Sequence, residues 1–321
     1  MIESKNTMSL LMVLVTFTWA LSGIATKYLS FYISENEIVV YRYFFATLST
    51  IPILFWMKIP LIINFKNLLL SLLLALFVIG NTRFYFMGMQ HGAAGLGAAL
   101  VTVLIPIMVY IFMIFSRKSR PGIKDWLALL LGVVGVLFMM NFESFSLSEL
   151  MRGGNIYFVL AAFFYALITV VGVLMKNMHV MAFNFYICLF AVSIDWFLSF
   201  DGVFLNVAKM DSVFWTNIFI VSILSTIVAS SLYYIGLRVL GSKKCSEFSL
   251  LTPFFAIALG ALFFGETLTI KNALGTIMAV SALVVLNNVK FKDLTNFRLG
   301  VDCYCGGKFG FCNFYSLLNN N

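Results

Sequence analysis

Charge is what this sequence has least of. Only 11% of its 321 residues are Asp, Glu, Lys or Arg, against about 25% in soluble domains. With 62% hydrophobic residues and a mean hydropathy of +1.00, the polar residues are too few to cover a soluble core. A water-soluble fold is excluded, and the bilayer is the solvent that fits. Histidine is scarce as well: His91 and His179 are the only two. They fall on opposite sides of the topology derived below, so they form neither a metal pair nor a catalytic dyad. Five cysteines are too few and too scattered for a disulfide framework. Cys188 and Cys245 lie in or beside apolar helices. Cys303, Cys305 and Cys312 form a C-x-C-x6-C pattern with no second pair, read as part of a loose cytosolic tail rather than as a metal site. No cofactor is expected. There is no G-x-x-x-x-G-K-[ST] loop, so the chain does not burn ATP unaided. The longest polar stretches are 142–153, 201–213 and the tail from 288, none able to hold a soluble catalytic domain.

What the chain does have is long apolar runs. A helix needs about 20 apolar residues to cross about 30 Å of hydrocarbon. Ten such runs occur, at 8–29, 37–56, 67–88, 92–115, 123–141, 154–174, 180–200, 214–236, 244–264 and 268–287. The first is too long for a signal-peptide core and lacks an A-x-A site, so it is expected to stay. Five prolines leave these helices free to run long.

The net charge of +8 does not point to nucleic acid, because the basic residues sit in short loops between apolar runs. With a cytoplasmic amino terminus, the inner loops hold ten basic residues: Lys58, Lys66, Arg117, Lys118, Arg120, Lys124, Lys176, Arg238, Lys243 and Lys244. The outer loops hold Arg152, Lys209 and Lys271, together with Glu35, Glu37, Glu143, Glu149, Asp201 and Asp211. This bias predicts a multi-pass bacterial inner-membrane protein with both termini in the cytoplasm.

The two halves resemble each other at an offset of about 146 residues. Thr18-Trp19-Ala20-Leu21 faces Phe164-Tyr165-Ala166-Leu167, Leu104-Ile105-Pro106-Ile107 faces Leu251-Thr252-Pro253-Phe254, and Gly132 plays a part like that of Gly275. A unit of five helices repeated in tandem must insert its second copy upside down. Corresponding loops then exchange charge character, as three of four pairs do here. The expected fold is an all-α membrane protein of ten transmembrane helices, built as two inverted five-helix repeats over 8–141 and 154–287 with a tail at 288–321. Inverted repeats suit carriers that rock two halves about a central site.

Four features carry a family resemblance: Thr18-Trp19-Ala20-Leu21-Ser22-Gly23 with Lys27; Tyr41-Arg42-Tyr43-Phe44-Phe45-Ala46; Leu251-Thr252-Pro253 leading to Gly265-Glu266-Thr267-Leu268-Thr269; and Gly275. Together, over about 8–288, the chain resembles EamA-type members of the drug/metabolite transporter superfamily. The resemblance implies a ten-helix inverted-repeat carrier of metabolites or drugs, amino acids and related solutes being common substrates. It departs after span four, where Ser116-Arg117-Lys118-Ser119-Arg120-Pro121-Gly122 replaces a Gly-Glu turn.

Charges inside spans are costly and need a reason. Arg42, Arg83 and Lys27 fall in the outer half and form a candidate cationic lining for an anionic substrate group; snorkelling to the surface is the alternative for Arg42 and Lys27. Asp195 is read as the one acid well inside a span. It either pairs with Arg42 or Arg83 or takes up a driving proton. Glu266 is read as a helix cap. Trp19 and Tyr165, equivalent in the two halves, are candidate pathway residues, with plain packing as the alternative. Pro106 and Pro253 are candidate hinges or static kinks. Gly92, Gly95 and Gly97 suggest close packing by span four. The expected partners are a small-molecule substrate and the lipid bilayer, with no nucleic acid, and a homodimer is left open. A secondary carrier, not an enzyme, is the expectation; an intramembrane enzyme lacks the clustered His, Asp or Ser it needs. A non-transporting receptor leaves the inverted repeat unexplained.

Overall fold

A serine three residues ahead of a glutamate sets the start of the second helix. The Ser34 hydroxyl accepts from the Glu37 backbone N–H at 3.4 Å, and the Glu37 carboxylate accepts from the Ser34 N–H at 2.7 Å. This reciprocal capping box starts the helix at Glu35, two residues earlier than the apolar run alone suggests. The computed structural model describes residues 5–91, 94–115, 122–139, 155–175, 178–198, 210–265 and 269–286. Among these the chain is all helical, with no strand. The helices are α1 (Lys5–Leu29), α2 (Glu35–Trp56), α3 (Phe65–His91), α4 (Ala94–Phe115), α5 (Ile123–Met139), α6 (Asn155–Gly172), α7 (Val180–Leu198), α8 (Ser212–Val239), α9 (Gly241–Phe264) and α10 (Ile270–Leu286). Six of them, α1, α2, α3, α7, α8 and α9, contain apolar stretches long enough to cross a membrane. Glu266, the loop 116–121, Lys176, Arg152, Lys209 and the tail with its three cysteines lie outside the described residues, as do the side chains of 89–100, including His91 and the glycines of span four.

Two helices change winding midway. In α8 the segment Ile220–Ala229 is π-wound between α-helical Ser212–Phe219 and Ser230–Val239. In α9 a 3-10 turn at Phe248–Leu251 joins Gly241–Glu247 to Thr252–Phe264. Helix α9 begins at Gly241, whose φ of 83° suits a residue with no Cβ. Lys243 and Lys244 therefore lie on the helix rather than in the loop before it.

Contacts at the helix ends show that α7, α8 and α9 alternate in direction and that α1 and α5 run the same way as α9. At one end, Tyr32 after α1 donates to Asp211 ahead of α8 at 2.8 Å, and Lys27 near the end of α1 sits over the Phe264 ring at the end of α9. At the other end, Arg238 near the end of α8 donates to the Met178 carbonyl just ahead of α7, and Lys243 near the start of α9 pairs with Asp125 near the start of α5. The main packing partners also follow a rule. Helix α3 packs on α6 as α8 packs on α1; α4 packs on α6 as α9 packs on α1; α3 packs on α7 as α8 packs on α2. The remaining large contacts, α5 with α10 and α2 with α7, are their own counterparts. Exchanging helix n with helix n+5 thus returns the same neighbours.

Close backbone approach explains the tightest of these contacts. A Cβ added to Gly135 on α5 would stand 2.8 Å from the Gly275 carbonyl oxygen and 2.9 Å from the Ala279 nitrogen on α10. One on Gly132 would stand 2.8 Å from Leu250 on α9. Small residues let helices meet where lipid supplies no hydrophobic contrast. The α5–α10 seam is where the glycines seen in the sequence do this.

Candidate functional site

Three helices bring a polar belt together around the π-wound segment. Arg42, two turns into α2, donates from Nε to the Thr226 hydroxyl at 2.8 Å and from Nη2 to the Ser225 hydroxyl at 3.2 Å, both on α8. Thr226 in turn donates to the Val221 carbonyl, five residues back. Asn184 on α7 donates from Nδ2 to the Thr226 carbonyl at 2.8 Å and to the Ser231 hydroxyl at 3.3 Å. The wider winding leaves backbone and hydroxyl acceptors turned toward these side chains, and such bulges recur at functional sites. The buried Ser222 hydroxyl on the same segment has no partner among the described residues. Among the described residues no carboxylate pairs with Arg42: Asp195 is held by Arg83, and Asp125 by Lys243.

The other candidate cations are placed differently. Arg83 on α3 pairs with Asp195 on α7, Nε to Oδ1 at 2.7 Å. Asp195 is fully buried, and its Oδ2 has no partner among the described residues. Tyr43, one position after Arg42, touches Thr82, one position before Arg83, hydroxyl to hydroxyl at 3.4 Å. The belt is therefore continuous from α8 through α2 and α3 to α7. Lys27 stands apart from it. Its ammonium lies 3.9 Å from the centre of the Phe264 ring, a cation–π contact at the helix ends.

The aromatic pair does come together. Trp19 on α1 meets Tyr165 on α6 edge to face, with centroids 5.9 Å apart, and Tyr233 on α8 completes a triangle at 5.1 Å and 6.0 Å. The Tyr233 hydroxyl bonds to that of Thr169 at 2.6 Å, while the buried Tyr165 hydroxyl has no partner among the described residues. The two prolines differ in setting. Pro106 lies inside α4, whereas Pro253 stands in the first turn after the 3-10 segment of α9, where its missing N–H costs nothing.

Asp195 is not the only fully buried acid among the described residues. Glu247 in α9 is fully buried and accepts from the Tyr110 hydroxyl of α4. At the sequence level it passes for an interfacial residue, being only a few positions into an apolar run behind two lysines. The belt's hydroxyls left a clearer signal: Ser222, Ser225, Thr226, Ser230 and Ser231 recur within one apolar span.

An all-helical integral membrane bundle with charged and hydroxyl groups held between its helices is the kind of protein that carries polar solutes across a bilayer. The EamA-like transporter family matches it twice, over residues 6–141 and 152–288. The chain belongs to that family and is a membrane transporter. It is similar to the uncharacterized inner membrane transporter YicL of Salmonella typhimurium, 24% identical over 290 residues covering 84% of this chain and 91% of that protein. It is also similar to the uncharacterized transporter YxxF of Bacillus subtilis, 25% identical over 222 residues, covering 68% of this chain and 70% of that one. A crystal structure with 14% identity superposes at a TM-score of 0.68, covering 88% of this chain and 96% of the other, and shows a shared fold.

Proposed function

We propose that this protein is a secondary carrier of small metabolites bearing an anionic group, amino acids or related solutes among them, and that it works by alternating access. The observation that carries the substrate class is Arg42. Its guanidinium is balanced by two hydroxyls and by no described carboxylate. An arginine at span depth costs about 2.5–3.5 kcal/mol on insertion scales, and a bidentate carboxylate on the substrate is what its planar fork accepts best. Trp19, Tyr165 and Tyr233 offer a neighbouring aromatic wall. Arg83 is committed to Asp195, so the two act as a pair, with Asp195 a coupling or structural partner rather than a second anchor. Lys27 retains a substrate role only if its contact with Phe264 opens.

The proposed architecture is ten spans in two inverted five-helix repeats. The twofold family match and the n to n+5 packing rule support it. The loop charge bias supports two cytoplasmic termini in a bacterial inner membrane. Pro106 and the break before Pro253 are the proposed hinges. The purified protein is to be reconstituted in liposomes and tested against a panel of labelled metabolites. Uptake of carboxylate-bearing compounds is expected, with Arg42→Lys inserting normally and losing most affinity. Binding within a few-fold of wild type in that variant would sink the anionic-substrate reading.

A further inference from the structure

The buried acid that this reading leaves unused is Glu247. It sits at the end of the bundle formed by the starts of α5 and α9 and the end of α4. One carboxylate oxygen accepts from the Tyr110 hydroxyl, and the other, Oε2, is buried with no partner among the described residues. The nearby cations are not bonded to it. Lys243 is 2.6 Å from Asp125 on α5. Lys243, Lys244 and Asp125 act on Glu247 only through their fields. Helix α6 brings Thr169, whose carbonyl accepts from Ser242, and Tyr165, which faces Cys245. Lys271 of α10 lies at the opposite end of its helix.

A carboxylate with one donor for two buried oxygens is poorly held, whereas the neutral acid is tolerated. Glu247 also closes the first α-helical segment of α9, immediately before the 3-10 turn Phe248–Leu251. A mid-helix 3-10 stretch is a frequent hinge. A residue that is buried, incompletely satisfied and seated on a hinge senses whether that hinge is open.

We propose that Glu247 is a proton-binding site that gates this end of the carrier, so that pH on that side sets how readily α9 opens from α4, an inference that rests on the carrier reading above. With the mouth closed, the acid keeps its proton on Oε2 and accepts from Tyr110 on Oε1. When α9 swings from α4 at the 3-10 turn, water reaches the group. The O–H bond breaks, the electron pair stays on the carboxylate, and the proton leaves as hydronium. Lys243 and Lys244 then stabilise the anion. Closure requires the reverse step, so opening and proton release are linked.

Infrared difference spectra of the purified full chain, recorded across a pH titration, test the site without any substrate. Wild type is expected to show a carboxylic-acid carbonyl band that bleaches as pH rises. That band is expected to vanish in Glu247→Gln and to persist in Asp195→Asn. Tyr110→Phe removes the donor and is expected to move its midpoint upward, which keeps the test open should Glu247→Gln fold poorly. A wild-type spectrum without such a band, or an unchanged band in Glu247→Gln, overturns the proposal. In proteoliposomes given a labelled amino-acid pool, with the same pH on both sides of the membrane, the exchange rate of wild type is expected to change as that pH is raised through the infrared midpoint. Glu247→Gln is expected to lose that pH dependence and keep solute exchange. An equal pH dependence in Glu247→Gln also overturns it. If wild type moves none of the pool, the carrier reading fails for that pool and the infrared result alone decides the site.

Discussion

Arg83 on α3 and Asp195 on α7 form an ion pair at 2.7 Å, in which the acid is fully buried and the arginine is not. Removing one partner from such a pair leaves the other charge uncompensated, which costs about 3–5 kcal/mol. Asp195→Asn and Arg83→Gln are each expected to lower the melting temperature in detergent and reduce folded yield. The double variant is expected to recover much of the loss, because it strands no charge. Strict additivity of the two single effects in a double-mutant cycle would show that the pair contributes nothing.

A second expectation concerns the seam between α5 and α10. Gly135→Ala places a methyl 2.8 Å from a backbone carbonyl and 2.9 Å from a backbone nitrogen. Neither can move aside as a flexible side chain does, so the helices must separate. Overpacking of this kind costs about 1–3 kcal/mol. Gly23 in α1 is the control: nothing lies within 4 Å of a Cβ there, and alanine in a helix interior is favoured by about 0.5–1 kcal/mol. Thermal melts should therefore shift in opposite directions. Equal melting temperatures for the two variants would remove the close-packing argument.

The contact of Tyr32 after α1 with Asp211 ahead of α8 predicts a pH dependence. Asp211 caps α8, accepting from the Phe214 backbone N–H at 2.9 Å and from the Tyr32 hydroxyl at 2.8 Å. The Phe214 N–H, and then the Tyr32 hydroxyl, hold its carboxyl below the usual carboxylate range. The same bond raises the Tyr32 phenol. A lowered folded-state pKa means that the cap's contribution is present above the unfolded value, about 3.9, and is lost as pH falls below it. Asp211→Ala should melt lower than wild type at pH 7, and the gap should narrow below about pH 4. A gap that stays constant across that window would show that the charge on Asp211 is not what stabilises the cap.

The apolar runs made the helices legible, since length and hydropathy suffice where lipid is the solvent. The pairing of Trp19 with Tyr165 was legible because an internal repeat puts equivalent positions at one depth. The partner of Asp195 was narrowed to two arginines and no further, because sequence carries depth but not rotation about the helix axis. Glu247 escaped for a related reason. Its place near the end of an apolar run looks solvated, and only the packing of α4 against α9 buries it. Nor did any residue announce the π winding of α8. Its cause lies in partners from α2 and α7 that satisfy the displaced groups.

That dependence on partners gives the last prediction. Asn184 donates to the Thr226 carbonyl at 2.8 Å and is itself buried. Arg42 reaches the Thr226 hydroxyl from the other side. Asn184→Leu keeps the bulk and removes the donor, leaving a buried carbonyl unsatisfied at a cost of about 1–3 kcal/mol. The segment Ile220–Ala229 can escape that cost by tightening to α winding, which returns the carbonyl to its own ladder. Tightening would also turn Thr226 and Ser225 away from Arg42. Asn184→Leu should therefore weaken substrate binding although Asn184 makes no described contact with Arg42, and Arg42→Gln added to it should weaken binding little further. Cross-linking between cysteines placed on α2 and α8 should change in the same variant. Wild-type binding and unchanged cross-linking in Asn184→Leu would show that the π winding stands without Asn184, and that Arg42 is positioned by other contacts.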